Sequence, residues 1–170
     1  NTFVIEQAGE EPVWSNISVL NAWGAPGAPE RSGLYYQFAK AHGLEYTDFQ
    51  AARRKYSCDG AFAGVCSEAL MATAAKKEKH LYDVILIDEA QDFSPPFFQM
   101  CYSMLSEKKR LVYAYDELQS LTDSSLPPPE ELFGKKADGT PRVIFNAPTP
   151  GQAQQDIILG SRPIDFMWLA

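Results

Sequence analysis

Cysteine is scarce in this chain. Cys58, Cys66 and Cys101 are the only three, an odd count with no Cys-x-x-Cys pair. A disulfide framework and a cysteine-built zinc site are therefore not expected, and a reducing cytosol is the natural setting. Positive charge is also short: 15 Lys and Arg face 22 Asp and Glu, for a formal charge of −7 and a pI of about 4.8. Affinity for a nucleic-acid backbone comes from cations that displace counterions, so tight binding by this piece alone is not expected. No apolar run approaches the roughly 20 residues that cross a bilayer, and no signal peptide is recognisable. No Gly-x-x-x-x-Gly-Lys-Ser/Thr occurs, so the phosphate-cradling loop of many nucleotide enzymes is missing from these residues. Enough apolar material remains, 45% of 170 residues, to bury one real core.

The most telling stretch is Tyr82 to Asp92. Val84-Ile85-Leu86-Ile87 is a four-residue aliphatic run, three of them β-branched, suited to a strand buried on both faces. It ends in Asp88-Glu89-Ala90-Gln91-Asp92. Ligands of parallel α/β sheets bind outside the carboxyl ends of the strands, which places these acids for metal and phosphate chemistry. Asp88 is a hard oxygen ligand suited to Mg²⁺. Glu89 is placed to orient and deprotonate a water attacking a γ-phosphate. The plainer alternative is that the acids cap the next helix, whose start is marked by Ser94-Pro95-Pro96.

A second element follows one helix later. Pro96 to Lys109 carries apolar residues at helical spacing and ends in Lys108-Lys109-Arg110, which suits a helix C-terminus. Leu111 to Tyr115 then reads as another strand, ending in polar residues through Leu121. Strand, helix and strand within about thirty residues form a βαβ unit, whose two polar tips emerge on one sheet edge.

Asp88-Glu89-Ala90-Gln91-Asp92, followed by Tyr115-Asp116-Glu117-Leu118-Gln119-Ser120-Leu121, resembles motifs II and III of the UvrD/Rep-type superfamily 1 DNA helicases. The resemblance implies a RecA-like P-loop NTPase core, an α/β fold with a parallel sheet flanked by helices. Here that core is incomplete and interrupted by a helical insertion over 33–79. It also implies ATP and Mg²⁺ as cofactors, with Asp88 holding the metal and Glu89 activating water. Gln119 would sense the γ-phosphate. Gln91 would be a secondary contact linking nucleotide state to a neighbouring domain, and Asp116 keeps the register of motif III. Tyr115 stands where the best-known members have Gly. Arg162 matches the arginine of a later motif, although no aromatic precedes it.

Upstream, Ile17-Ser18-Val19-Leu20-Asn21-Ala22-Trp23-Gly24 is a strand entering a Gly/Pro-rich loop over 24–31. It is similar to the helicase stretch that touches single-stranded DNA, which makes Asn21 and Trp23 nucleic-acid candidates. Stacking of Trp23 on a base would contribute about 1–3 kcal/mol. The alternative is a core ring under the following helix. Around these motifs the expected elements are a strand at Thr2 to Glu6 and helices at Leu34 to His42 (closed by Gly43), Thr47 to Arg54 and Phe62 to Lys79. A short helix after Pro127-Pro128-Pro129, closed by Gly134, and a last strand at Arg142 to Phe145 complete the pattern. Arg53-Arg54-Lys55 and Lys76-Lys77-Glu78-Lys79-His80 read either as solvated helix faces or as cationic patches.

The whole of 1–170 is thus expected to be part of a first helicase motor domain. It would act in the cytosol on single-stranded and duplex DNA together with further helicase domains. Without the phosphate loop, the chain alone should turn over ATP poorly. Two other classes stay open. One is a non-catalytic interaction domain on a motor scaffold. The other is a metal-dependent nuclease built on Asp88, Glu89 and Asp116, which lacks the lysine such enzymes keep near their acids.

Overall fold

The aliphatic run at 84–87 lies at the centre of the fold. The computed structural model describes residues 11–114, 127–143 and 166–169, the last four as backbone alone. Its strands are β1 (Ile17–Leu20), β2 (Tyr82–Ile87), β3 (Leu105–Tyr113) and β4 (Phe166–Leu169). All pair in parallel, in the order β1-β4-β2-β3, so this is a mixed α/β fold around a parallel sheet. The helices are α1 (Pro29–Ser32), α2 (Leu34–His42), α3 (Phe49–Thr73), α4 (Pro95–Met104) and α5 (Pro129–Leu132).

Side chains alternate across a strand, so register assigns the faces. Leu20, Ile87 and Tyr113 fall in one row with Leu169 between them, and Ile85 and Leu111 share the same face. Ile85 and Ile87 are fully buried there beneath Phe97, Phe98, Met100 and Met104 of α4. The opposite face carries Val19, Leu86 and Val112 in one row, and it is far more open. Val19 is 65% and Val112 55% exposed. The expectation of a strand buried on both faces thus holds fully for one side of β2 and only partly for the other.

Local signals set the helix ends. Gly43 takes φ 65° and its N–H returns to the last turn of α2, a left-handed cap that glycine adopts without a Cβ penalty. Asp48 caps α3, its Oδ1 accepting the Ala51 N–H at 2.8 Å. Inside α3, Ser57 breaks the helix with φ 69° and ψ 178°. Lys55 and Glu68 are ion-paired across this break, whereas thirteen residues of straight helix would hold them about 20 Å apart. The two halves are therefore folded towards each other, with the Tyr56 ring seated on Gly64. A Cβ at Gly64 would lie 2.4 Å from that ring. The sequence reading of two helices here is closer to this geometry than one continuous rod, although the second half ends at Thr73 rather than Lys79.

Two boundaries differ more. The helix expected to run to Lys109 stops at Met104, and Leu105–Tyr113 is strand. Ser106 to Arg110 offer no apolar residue for a helix to bury, while Leu105 and then Arg110 to Tyr113 pair with β2, with Ser106 to Lys109 bulging between the two pairings. Lys109 still serves the helix end, from outside it: its Nζ donates to the Tyr102 and Leu105 carbonyls at 3.1 and 3.2 Å. The loop expected over 24–31 contains the start of α1, with Pro29 at its first position. Arg142 and Val143 are not in a strand. Thr2 to Glu6 and Ile144-Phe145 lie outside the described residues.

Candidate functional site at the carboxyl edge of the sheet

The four strands run the same way, so their carboxyl ends share an edge. The row Leu20–Leu169–Ile87–Tyr113 is the last paired one, which brings Asn21, Asp88 and Ala114 out together. At about 4.8 Å per strand, Asn21 and Asp88 stand roughly 10 Å apart along that edge. The Ala114 N–H donates to the Ile87 carbonyl at 2.8 Å, and the Ala90 N–H to the Ala114 carbonyl at 2.9 Å. These two bonds pin the acidic loop to the tip of β3.

Within the loop, Asp88 is half-buried and Glu89 exposed. Asp88 Oδ1 accepts the Glu89 N–H at 3.0 Å. Among the described residues no donor engages its second oxygen. Glu89 sits in the left-handed region, φ 49° and ψ 46°, which is uncommon for a residue with a side chain. Gln91 Nε2 donates to Glu89 Oε2 at 2.5 Å. The backbone then makes one 3-10 turn at Ala90–Asp92, with the Asp92 N–H on the Glu89 carbonyl at 3.0 Å.

Helix capping does not account for these acids. Ser94, not an acid, occupies the N-cap position of α4, and its side chain makes no cap hydrogen bond there. Pro95 and Pro96 bring no N–H, and Phe97 N–H bonds the Ser94 backbone carbonyl at 3.0 Å. The Ser94 hydroxyl is buried without a hydrogen-bond partner among the described residues.

Trp23 lies at the end of a ring chain. Its indole stacks on Phe62, centroids 5.1 Å apart, and meets Tyr35 and Phe49 edge-on. Its Nε1 donates to the Thr47 carbonyl at 3.1 Å. This is the packing-ring geometry weighed against base stacking in the sequence. Gly33 allows the chain to pass here, because a Cβ on it would lie 2.3 Å from the Trp23 carbonyl oxygen. Phe62 also touches Phe93, centroids 6.3 Å apart, and Phe93 directly follows Asp92. The rings of Phe62 and Phe93 thus join the Trp23 loop to the acidic loop. Sequence reading missed this link, whose only local trace is an aromatic placed just after Asp92.

Gln119, Asp116 and Arg162 lie outside the described residues. Asn21 is exposed, held through its backbone to Leu34, whose N–H donates to the Asn21 carbonyl at 3.0 Å. No three His, Cys, Asp or Glu residues gather into a metal-binding group among the described residues. Mg²⁺ is commonly held by one or two carboxylates with water and substrate phosphates filling its shell. Asp88 fits such a role. A nucleotide fits these residues in part: they offer a hard carboxylate, Asp88, beside an exposed acid, Glu89, without a loop to cradle phosphates.

No protein-family model, curated protein or solved structure matches this chain. No helix among the described residues is long and apolar enough to cross a membrane.

Proposed function

We propose that this chain is part of the first motor domain of a UvrD/Rep-type DNA helicase, contributing the acidic half of its Mg-ATP site. The observation that carries the reading is the placement of Asp88 and Glu89 at the carboxyl end of β2, tied by backbone hydrogen bonds to the tip of the parallel neighbour β3. That neighbour leads directly into the segment bearing Asp116 and Gln119. When bound, Mg²⁺ supplies charge neutralisation at the phosphates, with Asp88 as its protein ligand. Glu89 accepts the proton of the attacking water, and Gln91 orients that carboxylate through their hydrogen bond. Gln119 reports the γ-phosphate. Arg162 and Asn21 are assigned by resemblance to nucleotide and single-stranded DNA contacts, while Trp23, packed among Phe62, Tyr35 and Phe49, supports the loop that carries Asn21. Nucleotide-driven opening and closing against a second domain would move the strand.

The test uses a polypeptide that carries this chain together with a phosphate-cradling loop. Glu89→Gln is expected to lower DNA-stimulated ATP turnover by about a hundredfold or more, with nucleotide binding retained. Unchanged turnover would reject the assignment of Glu89, whereas no turnover by the unsubstituted polypeptide, with partner binding unchanged by Glu89→Gln, would reject the motor reading and favour an interaction domain on a motor scaffold.

A further inference from the structure

The opposite edge of the sheet has the opposite charge. Helices α3 and α4 both end there, since the chain passes from each into the start of the next strand. Lys76, Lys77 and Lys79 lie on the approach to β2, and Lys108, Lys109 and Arg110 at the start of β3. Side-chain contacts hold the two groups together. Lys109 Nζ donates to Glu78 Oε2 at 2.9 Å, which ties the approach to β2 onto β3. His80 Nε2 is 3.6 Å from the same carboxylate. On the other flank, Lys76 Nζ donates to the His42 carbonyl at 3.1 Å, so the end of α2 with Lys40 joins the same edge.

The β3 backbone explains the protrusion. Tyr82 pairs with Leu105, and the next pairing is Val84 with Arg110, so Ser106 to Lys109 bulge out of the ladder. Lys109 adopts φ 48° within the bulge. Lys77, Lys79 and Lys108 are exposed. Four carboxylates accompany them: Glu78, already taken by Lys109, and Glu45, Asp83 and Glu107. The edge remains cationic on a chain whose formal charge is −7. Helix C-termini attract cations, each worth about 0.3–1 kcal/mol within the last turn. That accounts for Lys109 and Lys76, which bond carbonyls, whereas Lys77, Lys79 and Lys108 have no bonded partner among the described residues.

We propose that this amino edge of the sheet, centred on Lys77, Lys79 and Lys108, is a contact surface for the phosphate backbone of nucleic acid, read without regard to sequence. It lies about 20 Å from the acidic rim, the length of β2. It therefore stands apart from the residues assigned to nucleotide, and its test does not depend on them. Binding is weak and salt-dependent, with Kd on the order of 10⁻⁴ M, as for other backbone-only contacts.

The test is fluorescence anisotropy of a labelled single-stranded oligonucleotide with the chain, titrated at several salt concentrations. Lys77→Glu/Lys79→Glu/Lys108→Glu is compared with Arg31→Glu/Lys135→Glu/Lys136→Glu, which makes the same charge change at exposed sites elsewhere. The edge variant should bind about tenfold or more weakly and flatten the plot of log K against log salt by about two. The control should stay within about twofold of the unsubstituted chain. Equal losses in both variants, or no saturable binding by the unsubstituted chain at low salt, would overturn the proposal. So would capture of phosphatidylserine vesicles by the chain while the oligonucleotide is ignored.

Discussion

Burial divides the three cysteines into different chemistries. Cys58 is exposed beside the Ser57 break, whereas Cys66 and Cys101 are fully buried, in α3 and α4. Burial pushes both buried thiols well above their ordinary value, because the thiolate has no water there. Thiolate is the reactive form, so iodoacetamide at neutral pH is expected to label Cys58 rapidly and spare the other two until denaturant is added. Mass spectrometry of the labelled peptides checks this. Early modification of Cys66 or Cys101 would mean that the contact between α3 and α4 opens far more readily than its packing implies. The same scale shows where the sequence was legible. Asp88 could be placed at a strand end because the preceding aliphatic run is a local signal. The Glu89–Gln91 hydrogen bond was not legible, since it depends on the left-handed backbone at Glu89.

Elements were readable where their ends carry local chemistry. Gly43 and Asp48 fix the close of α2 and the start of α3 through bonds to their own neighbours. The run Leu105 to Arg110 was misread because its state is decided by a distant partner. Pairing of its two ends, Leu105 and Arg110, with β2 draws it out of the helix, although its charges suit a helix end. Ser57 is another case, a residue with ordinary helix propensity holding a backbone conformation that is essentially reserved for glycine. The Lys55–Glu68 pair and the Tyr56–Gly64 contact hold the break in place. Such backbone strain costs about 1–3 kcal/mol. Glycine would relieve it while adding up to about 1 kcal/mol of unfolded-state entropy. Ser57→Gly is thus expected to raise the thermal midpoint by a few degrees, read by circular dichroism. A lower midpoint would show that α3 is straight in solution.

At the scale of the whole molecule, one ring chain holds the parts together. Trp23 reaches Phe62, Phe62 reaches Phe97, and Phe97 is followed by Phe98, which meets Tyr113 of β3 and Phe133 after α5. Phe97 is fully buried and also packs on Phe93, centroids 4.4 Å apart. It therefore touches the acidic loop, the folded-back half of α3 and the sheet core together. Cutting a buried Phe to Ala removes its transfer free energy and leaves a cavity, about 3–5 kcal/mol in total. Domains of this size are stable by only about 5–15 kcal/mol, so the loss takes a large share of the whole. Phe97→Leu keeps more of the volume and should cost less, about 1–2 kcal/mol. Urea denaturation, followed by tryptophan emission and circular dichroism on the same samples, measures both. The two signals should move together in each variant, because the Trp23 loop and the helices share this ring. If Phe97→Ala costs under about 1 kcal/mol, or the two probes separate in the unsubstituted chain, the ring chain does not unite the fold.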